Sequence, residues 1–428
     1  MVDPRTGARP VTQLVPTPAQ LRWQELELGV FIHFGINTFA GKEWSDGTVP
    51  ASSFNPTELD AGSWVRAART AGARYLILTA KHHDGFCLWP TATTDYSVAS
   101  SPWRGGTGDV VREVAEACKE QGIGLGLYLS PWDRNADCYN NPAAYDDFYV
   151  RQLTELCTGY GPLMELWFDG AGSVGRKHDW DRIIAVVKEH QPDAMIFNMG
   201  QPTIRWVGNE NGLASDPVTY VVDRTSDTQY TETSSGLLAE HYLPPECDVS
   251  IRRGWFWHPD DQPKSVEHLL AIYYQSVGMG ANLLLNVPPD TRGLIPDCDI
   301  LVLKEWKAEL DRRLSGVVEA TLGHHDGGVT LGFPAAVTFN HLELVEDLNA
   351  GQRITRHVVS SEGANLIDGM TVGSRRIHQL PVVTASELHV KLSGEGARLL
   401  SARVFTGALD ADVPAIPEGY EAPTVAPE

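Results

Sequence analysis

The chain is short of positive charge. It carries 34 lysine and arginine residues against 55 aspartate and glutamate residues, giving a formal net charge of −21 at pH 7. A nucleic-acid-binding surface needs basic residues that neutralise phosphates, so this composition argues against nucleic-acid partners. The acidic residues are spread along the chain, and we expect them mainly to raise solubility.

Long apolar runs are also lacking. No stretch reaches the roughly 18 apolar residues of a membrane span, and residues 1–7 show no apolar leader. We therefore expect no membrane partner and a cytoplasmic location, or a secreted protein if a signal has been removed.

Two further signatures are missing. The six cysteines are scattered without a Cys-x-x-Cys pair, which favours free thiols in a reducing compartment over disulfides or a zinc site. No Gly-x-Gly-x-x-Gly follows a strand-like run, so the dinucleotide-binding signature is missing. We predict neither a metal nor a cofactor, and no pattern predicts an oligomeric state.

Strand-like apolar runs alternate with segments of helical spacing. The runs cover 28–35, 75–81, 125–131, 163–169, 194–200, 248–251 and 282–287, and the helical segments cover 61–71, 109–121, 142–158, 180–190 and 263–277. Such alternation indicates βαβ units and a parallel sheet. The number of units favours an α/β fold of the (β/α)8-like TIM-barrel type over 1–317.

The pattern changes near residue 318. Short alternating runs, such as 328–331 and 388–392, are separated by turn clusters. They predict a C-terminal β-sandwich domain over 318–409, which we expect to support the barrel more than to bind sugar by itself. The segment 410–428 is rich in Pro, Ala and Glu, and is predicted to be a surface or disordered tail.

Polar residues follow the apolar run that ends near residue 80. His82 and His83 stand there, and side chains at the carboxyl ends of barrel strands face the active site. The pair is a candidate for substrate recognition. With Asp84 it could instead hold a hydrolytic metal, although adjacent strand residues point to opposite faces unless the strand has ended.

A carboxylate ends another strand. If Leu166 and Phe168 pack outward, Trp167 and Asp169 share the inward face, which places Asp169 at the barrel mouth. There it could attack the anomeric carbon of a sugar, or it could merely cap the next helix.

Glycoside hydrolysis needs a second carboxyl group. The leading candidate is Glu210, because the nearby Trp206 could desolvate the acid and support a sugar ring. Glu232, Glu240 and Glu246 remain alternatives.

Aromatic and hydrogen-bonding residues recur at other strand ends and in loops, as sugar recognition requires. They are His33, Glu43, Trp44, Tyr128 and Trp255.

Several of these motifs, in this order, resemble the α-L-fucosidases of glycoside hydrolase family 29. They are Phe31-Ile32-His33-Phe34-Gly35, Glu43-Trp44, Phe54-Asn55-Pro56, Lys81-His82-His83-Asp84-Gly85-Phe86, Leu127-Tyr128-Leu129-Ser130-Pro131-Trp132 and Trp167-Phe168-Asp169-Gly170. The resemblance spans the barrel half and implies a retaining exo-fucosidase acting on a fucosylated oligosaccharide or glycoconjugate.

The same resemblance implies roles for individual residues. Asp169 matches the nucleophile, whereas the residues expected to hold the fucose ring are His33, Glu43, Trp44, His82, His83 and Tyr128. The segment 205–210 resembles the subgroup that prefers α-1,3- and α-1,4-linked fucose on Lewis-type branches. That similarity implies Glu210 as acid/base and places Trp255 near the methyl face of the sugar.

Other functions stay open at this point. They are an exo-glycosidase for a related sugar such as galactose, a catalytically silent carbohydrate-binding protein, and the metal-dependent hydrolase.

Overall fold

The computed structural model of the protein describes residues 14–172, 175–226 and 234–420. No helix in these three ranges is long and apolar enough to cross a membrane. The helices are α1 (Pro18–Gln24), α2 (Ile36–Ala40), α3 (Ala61–Ala71), α4 (Val110–Gln121), α5 (Pro142–Gly159), α6 (Trp180–His190), α7 (Val266–Gln275) and α8 (Asp297–Arg313).

The first ten strands are β1 (Leu28–Ile32), β2 (Tyr75–Lys81), β3 (Gly124–Leu129), β4 (Glu165–Trp167), β5 (Met195–Phe197), β6 (Arg205–Trp206), β7 (Val221–Ser226), β8 (Ser234–Tyr242), β9 (Pro245–Ser250) and β10 (Asn282–Asn286). The remaining strands are β11 (Val317–Glu319), β12 (Thr321–His325), β13 (Gly328–Glu346), β14 (Arg356–Ser361), β15 (Ala364–Gly369), β16 (Arg376–Ser393) and β17 (Leu399–Phe405).

Eight parallel strands form a nearly closed barrel. Hydrogen-bonded neighbours run in the order β5-β4-β3-β2-β1-β10-β9-β6, and a parallel bridge between Phe197 and Ile204 joins the two ends of this order. The predicted barrel is confirmed. The sequence pattern did not indicate α8 or β6, and β6 has only two residues, too few to produce a readable pattern.

Capping residues fix the ends of α3 and α4, which match the predicted segments 61–71 and 109–121 to within one residue, whereas α7 is shorter than the predicted 263–277. The Asp60 side chain accepts a hydrogen bond from Ser63 N at the start of α3, and the helix ends at Gly72, whose φ is +88°. Asp109 caps α4 in the same way, and Gly122 ends that helix.

Side chains of β4 alternate across the barrel wall as predicted. Leu166 and Phe168 belong to the hydrophobic core that the strands share with the surrounding helices. Trp167 belongs to a separate cluster inside the barrel, together with Phe31 and Tyr128. The inward face of β4 therefore leads up to Asp169.

The C-terminal domain is antiparallel, as the short alternating runs predicted. Its strands follow the order β11-β17-β13-β16-β14-β15, with β12 paired to β13. The long strands β13 and β16 carry register shifts along their pairing. The domain boundary after residue 317 stays a prediction. Of the tail, residues 410–420 are described, and Ile416 packs against the barrel core.

Two carboxyl groups meet inside the barrel, in the layer that contacts Trp167. The Tyr75 hydroxyl donates to Glu246 Oε1 at 2.6 Å, and the Trp167 indole donates to Glu246 Oε2 at 3.2 Å. Burial raises the pKa of Glu246 to about 7 and that of Glu165 well above its usual value. A hydrogen bond between the two carboxyl groups raises the pKa of Glu165 and lowers that of Glu246, so Glu165 is the proton donor of the pair.

This pair predicts how stability depends on pH. The folded protein keeps a proton on Glu246 that the unfolded chain releases above the ordinary value of 4.5, since the folded pKa is about 7. The contribution of Glu246 to the free energy of unfolding is therefore fully present below pH 4.5 and decreases as pH rises towards 7. Glu246→Gln should flatten this slope in urea unfolding between pH 5 and 8. The exposed Glu189→Gln is the control, and equal slopes in all three proteins would contradict the raised pKa of Glu246.

Candidate active site

All nine predicted site residues line one pocket at the carboxyl ends of the barrel strands. They are His33, Glu43, Trp44, His82, His83, Tyr128, Asp169, Glu210 and Trp255. The other lining residues are Phe31, Trp167, Gly170, Ala171, Phe197, Asn198, Trp206 and Asp248. The fold thus gathers side chains from distant positions in the chain, while their chemical roles stay predictions.

Asp169 lies two residues beyond β4, and both of its carboxylate oxygens are hydrogen-bonded. The Tyr128 hydroxyl donates to Oδ2 at 2.9 Å, and the Ala171 backbone N–H donates to Oδ1 at 2.8 Å. Burial, with the charge of Asp169, raises the pKa of Tyr128 well above its usual value, so this phenol remains a donor. The carboxylate is oriented into the pocket, and its side chain is still 23% exposed.

His82 and His83 both face the pocket because β2 ends at Lys81. Beyond a strand end, consecutive side chains need not alternate between faces. Burial lowers the pKa of His83 to about 4 and that of His33 to about 3, and it lowers the pKa of His82 as well. Each ring is therefore neutral at ordinary pH and offers one donor and one acceptor nitrogen.

The hydrogen-bond network fixes the tautomer of His83. The Ser130 hydroxyl donates to the Trp132 carbonyl at 2.7 Å, so its oxygen accepts from His83 Nδ1, also at 2.7 Å. His83 Nε2 is then an acceptor, and it lies 3.6 Å from Asp169 Oδ2.

The tautomer of His33 is fixed in the same way. Both N–H groups of the Asn286 amide are used, on Ser250 Oγ and on the Trp255 carbonyl. Asn286 Oδ1 accepts from His33 Nδ1 at 2.9 Å, which leaves His33 Nε2 as an acceptor.

His82 has the opposite tautomer. Asn37 Nδ2 donates to the Glu43 carbonyl at 2.9 Å and lies 3.4 Å from His82 Nδ1. Nδ1 is thus the acceptor of this ring and Nε2 carries the proton. The three imidazoles therefore offer two acceptors and one donor, a pattern suited to the hydroxyl groups of a sugar.

A buried ion pair anchors the loop that carries the histidine pair. Lys81 Nζ donates to Asp133 Oδ2 and to Gln152 Oε1, each at 2.9 Å. Asp133 Oδ1 also accepts the backbone N–H groups of Asn135 and Ala136. The loops after β2 and β3 are held together, which explains why a lysine precedes the histidines.

Glu43 connects the first loop to the loop after β9. Its Oε2 accepts the backbone N–H groups of Trp255 at 2.9 Å and Phe256 at 3.3 Å. Burial raises the pKa of Glu43 to about 7. The Trp255 ring, held in this way, lies 5.0 Å from the His33 ring centre.

The structure separates the acids that the sequence left open. Glu210 is half-buried in the loop after β6 and lines the pocket. Glu246 points into the barrel interior below it, Glu240 is exposed on β8, and Glu232 lies outside the described residues. Of the described candidates, Glu210 alone lines the pocket with Asp169.

Asp248 is a lining residue that the sequence analysis did not select. It lies on β9, and the Trp206 indole donates to its Oδ1 at 2.6 Å. A signal was present, because Glu246, Asp248 and Ser250 occupy alternate positions of one barrel strand. Which of these inward residues reaches the pocket depends on how β9 pairs with β6 and β10, and the sequence does not show that pairing.

The hypothesis of a hydrolytic metal finds little support at the histidine pair. Asp84 uses Oδ1 to accept the Phe86 backbone N–H at 2.7 Å, and its Oδ2 lies 3.9 Å from His82 Nδ1. Across the described ranges, no three His, Cys, Asp or Glu side chains are grouped to hold a metal ion.

Comparison with known proteins identifies the family. Residues 48–308 match the model of the α-L-fucosidase family. The chain is 42% identical to α-L-fucosidase 1 of Arabidopsis thaliana over 411 residues, covering 85% of this chain and 81% of the relative. This chain belongs to the α-L-fucosidases of glycoside hydrolase family 29.

Solved structures of the family share the fold. A glycoside hydrolase 29 member from an unknown rumen bacterium is 34% identical with a TM-score of 0.83, covering 94% of this chain and 79% of the other. A Ruminococcus gnavus family 29 fucosidase in complex with fucose is 27% identical with a TM-score of 0.78, covering 94% and 96%. The α-L-fucosidase activity that the motifs implied is thereby supported.

The tautomer of His83 gives a prediction for this fucosidase. Ser130→Ala removes the acceptor of His83 Nδ1–H, so the ring no longer keeps Nε2 free to accept. We expect kcat/KM on an aryl α-L-fucoside to fall about 10-fold, the scale of one buried hydrogen bond. The measurement is steady-state kinetics with thermal unfolding as a check, and Ser360→Ala on the C-terminal sheet is the control. Wild-type kinetics in a folded Ser130→Ala variant would contradict the inferred tautomer.

Proposed function

We propose that this α-L-fucosidase is a retaining exo-enzyme in which Asp169 is the nucleophile and Glu210 the acid/base. The observation that carries this proposal is the placement of the two carboxyl groups. Asp169 follows β4 and Glu210 follows β6, yet both line the same pocket. The aromatic residues around them suit a single terminal sugar.

The mechanism follows from these positions. Asp169 attacks the anomeric carbon while Glu210 donates a proton to the departing glycosidic oxygen, which breaks the bond and forms a fucosyl ester. Glu210 then takes a proton from water, whose oxygen attacks the same carbon and frees Asp169. Such a double displacement uses carboxyl groups about 5–5.5 Å apart and releases fucose with retained configuration.

The neutral residues of the pocket bind the sugar in this proposal. His33, His82 and His83 accept or donate hydrogen bonds to ring hydroxyls without adding positive charge near the nucleophile. Tyr128 holds the Asp169 oxygen that it contacts at 2.9 Å. Glu43 and Trp44 complete the fucose-binding wall, and Trp255 packs against the methyl face.

We further propose that the substrates are α-1,3- and α-1,4-linked fucosides on branched, Lewis-type oligosaccharides. The support is the resemblance of residues 205–210 to the corresponding segment of that subgroup. Trp206 is fixed by its hydrogen bond to Asp248, and Glu210 follows on the same loop.

The two carboxyl groups should respond differently to substitution. Asp169→Ala should lower kcat by at least about 10³-fold on every fucoside, because no other group forms the ester. Glu210→Ala should lower turnover about 10²–10⁴-fold on oligosaccharides, whose leaving groups need a proton, and far less on activated aryl fucosides.

Steady-state kinetics on oligosaccharides and on activated aryl fucosides measure this difference in turnover. Glu240 is exposed, so Glu240→Ala is the matched control for the loss of a carboxyl group. Near-normal turnover of Asp169→Ala would refute the nucleophile. Equal losses of Glu210→Ala on both classes would refute the acid/base.

Linkage preference is tested separately. Fucose release is measured from a Lewis-type trisaccharide, from 2′-fucosyllactose and from an aryl α-L-fucoside. We expect release from the trisaccharide and the aryl fucoside, and little from 2′-fucosyllactose. Preferential release from 2′-fucosyllactose would overturn the linkage proposal and leave the fucosidase activity in place.

A further inference from the structure

The wall of the pocket between β6 and β9 contains a carboxyl group that the proposed mechanism does not use. Asp248 is 3% exposed and still contributes to the pocket lining. Its Oδ1 accepts the Trp206 indole N–H at 2.6 Å. Apart from the Trp206 indole and the backbone N–H of Asp248 itself, no group in the described ranges hydrogen-bonds this carboxyl, so Oδ2 is available to a bound molecule.

The position of Asp248 within β9 determines where it points. Cys247 and Val249 face the outer core, whereas Glu246 lies inside the barrel in contact with Tyr75 and Trp167. Asp248 is the next inward residue, one layer nearer the mouth. The carboxyl therefore lies deep in the pocket wall, between the barrel interior and the mouth.

We propose that Asp248 is a substrate-binding residue whose Oδ2 hydrogen-bonds a ring hydroxyl of the bound fucosyl unit. The hydroxyl lies on the side of the ring that faces Trp206 and Glu210, opposite the wall formed by the three histidines. This inference rests on the pocket being the fucose site, as proposed above, but not on the roles of Asp169 and Glu210.

The charge state of Asp248 decides the direction of this hydrogen bond. Burial raises its pKa well above the usual value, and the nearby charges of Glu210 and Glu246 act in the same direction. Trp206 supplies a hydrogen bond that acts the other way, and burial outweighs it. Burial therefore favours the protonated carboxyl, in which Oδ1 continues to accept from Trp206 and Oδ2–H is the donor that we assign to the sugar.

Two substitutions separate this role from a charge effect. Asn has the same shape, with an amide N–H in place of the acid O–H and a carbonyl that can still accept from Trp206. Asp248→Asn should therefore bind fucose within about 3-fold of the wild type. Asp248→Ala removes the donor and should weaken fucose binding at least about 10-fold.

The measurement is equilibrium binding of L-fucose and of its 2-, 3- and 4-deoxy analogues by calorimetry. Each variant is first checked by thermal unfolding. Asp248→Ser is a second variant, whose hydroxyl can donate a hydrogen bond but is too short to reach the place of the carboxyl. Wild-type protein should lose affinity for the analogue that lacks the contacted hydroxyl. Asp248→Ala should lose no further affinity for that one analogue, while it remains impaired for the other two.

The outcomes are distinguishable. Unchanged fucose binding in Asp248→Ala would overturn a direct contact. Equal weakening of binding for all three analogues in Asp248→Ala would also overturn it, and would indicate an effect through Trp206. Equal weakening in Asp248→Asn and Asp248→Ala would overturn the donor. Failure of the wild-type protein to bind fucose would instead overturn the proposed site itself, together with this assignment.

Discussion

The alternation of side chains along the barrel strands is the constraint on which the site depends. On β4 the inward positions Glu165 and Trp167 lead to Asp169 at the mouth, and on β9 the inward positions Glu246 and Asp248 lead to Ser250. The two series meet inside the barrel, where the Trp167 indole donates to Glu246. A shift of one residue in either strand would move Asp169 or Asp248 from the pocket into the outer core.

Burial shapes the electrostatics of the pocket. The imidazoles of His33 and His83 stay neutral, and the pKa of the interior Glu246 is raised to about 7, because charged groups are costly where water is excluded. Most lining groups therefore act as hydrogen-bond donors or acceptors of defined direction. Such a surface is suited to hydroxyl groups, and the neutral His83 adds no positive charge beside Asp169.

The sequence predicted what depends on local pattern. Strand–helix alternation indicated the barrel, and the strand-end motifs located Asp169 and the histidine pair. Spacing in the sequence alone could not decide between Glu210 and Glu246, since that choice depends on which inward layer of the barrel each acid occupies. Asp248 was missed for the same reason, because its hydrogen bond to Trp206 joins two strands that are distant in the chain.

The most direct measurement of the proposed chemistry is to trap the covalent intermediate. A 2-deoxy-2-fluoro-L-fucosyl fluoride forms the ester with the nucleophile but destabilises its hydrolysis, so the labelled protein accumulates. Peptide mapping by mass spectrometry should place the fluorofucosyl group on Asp169, with one label for each chain. A label on Glu210 or Asp248, or turnover through inversion without any labelled peptide, would contradict the double displacement at Asp169.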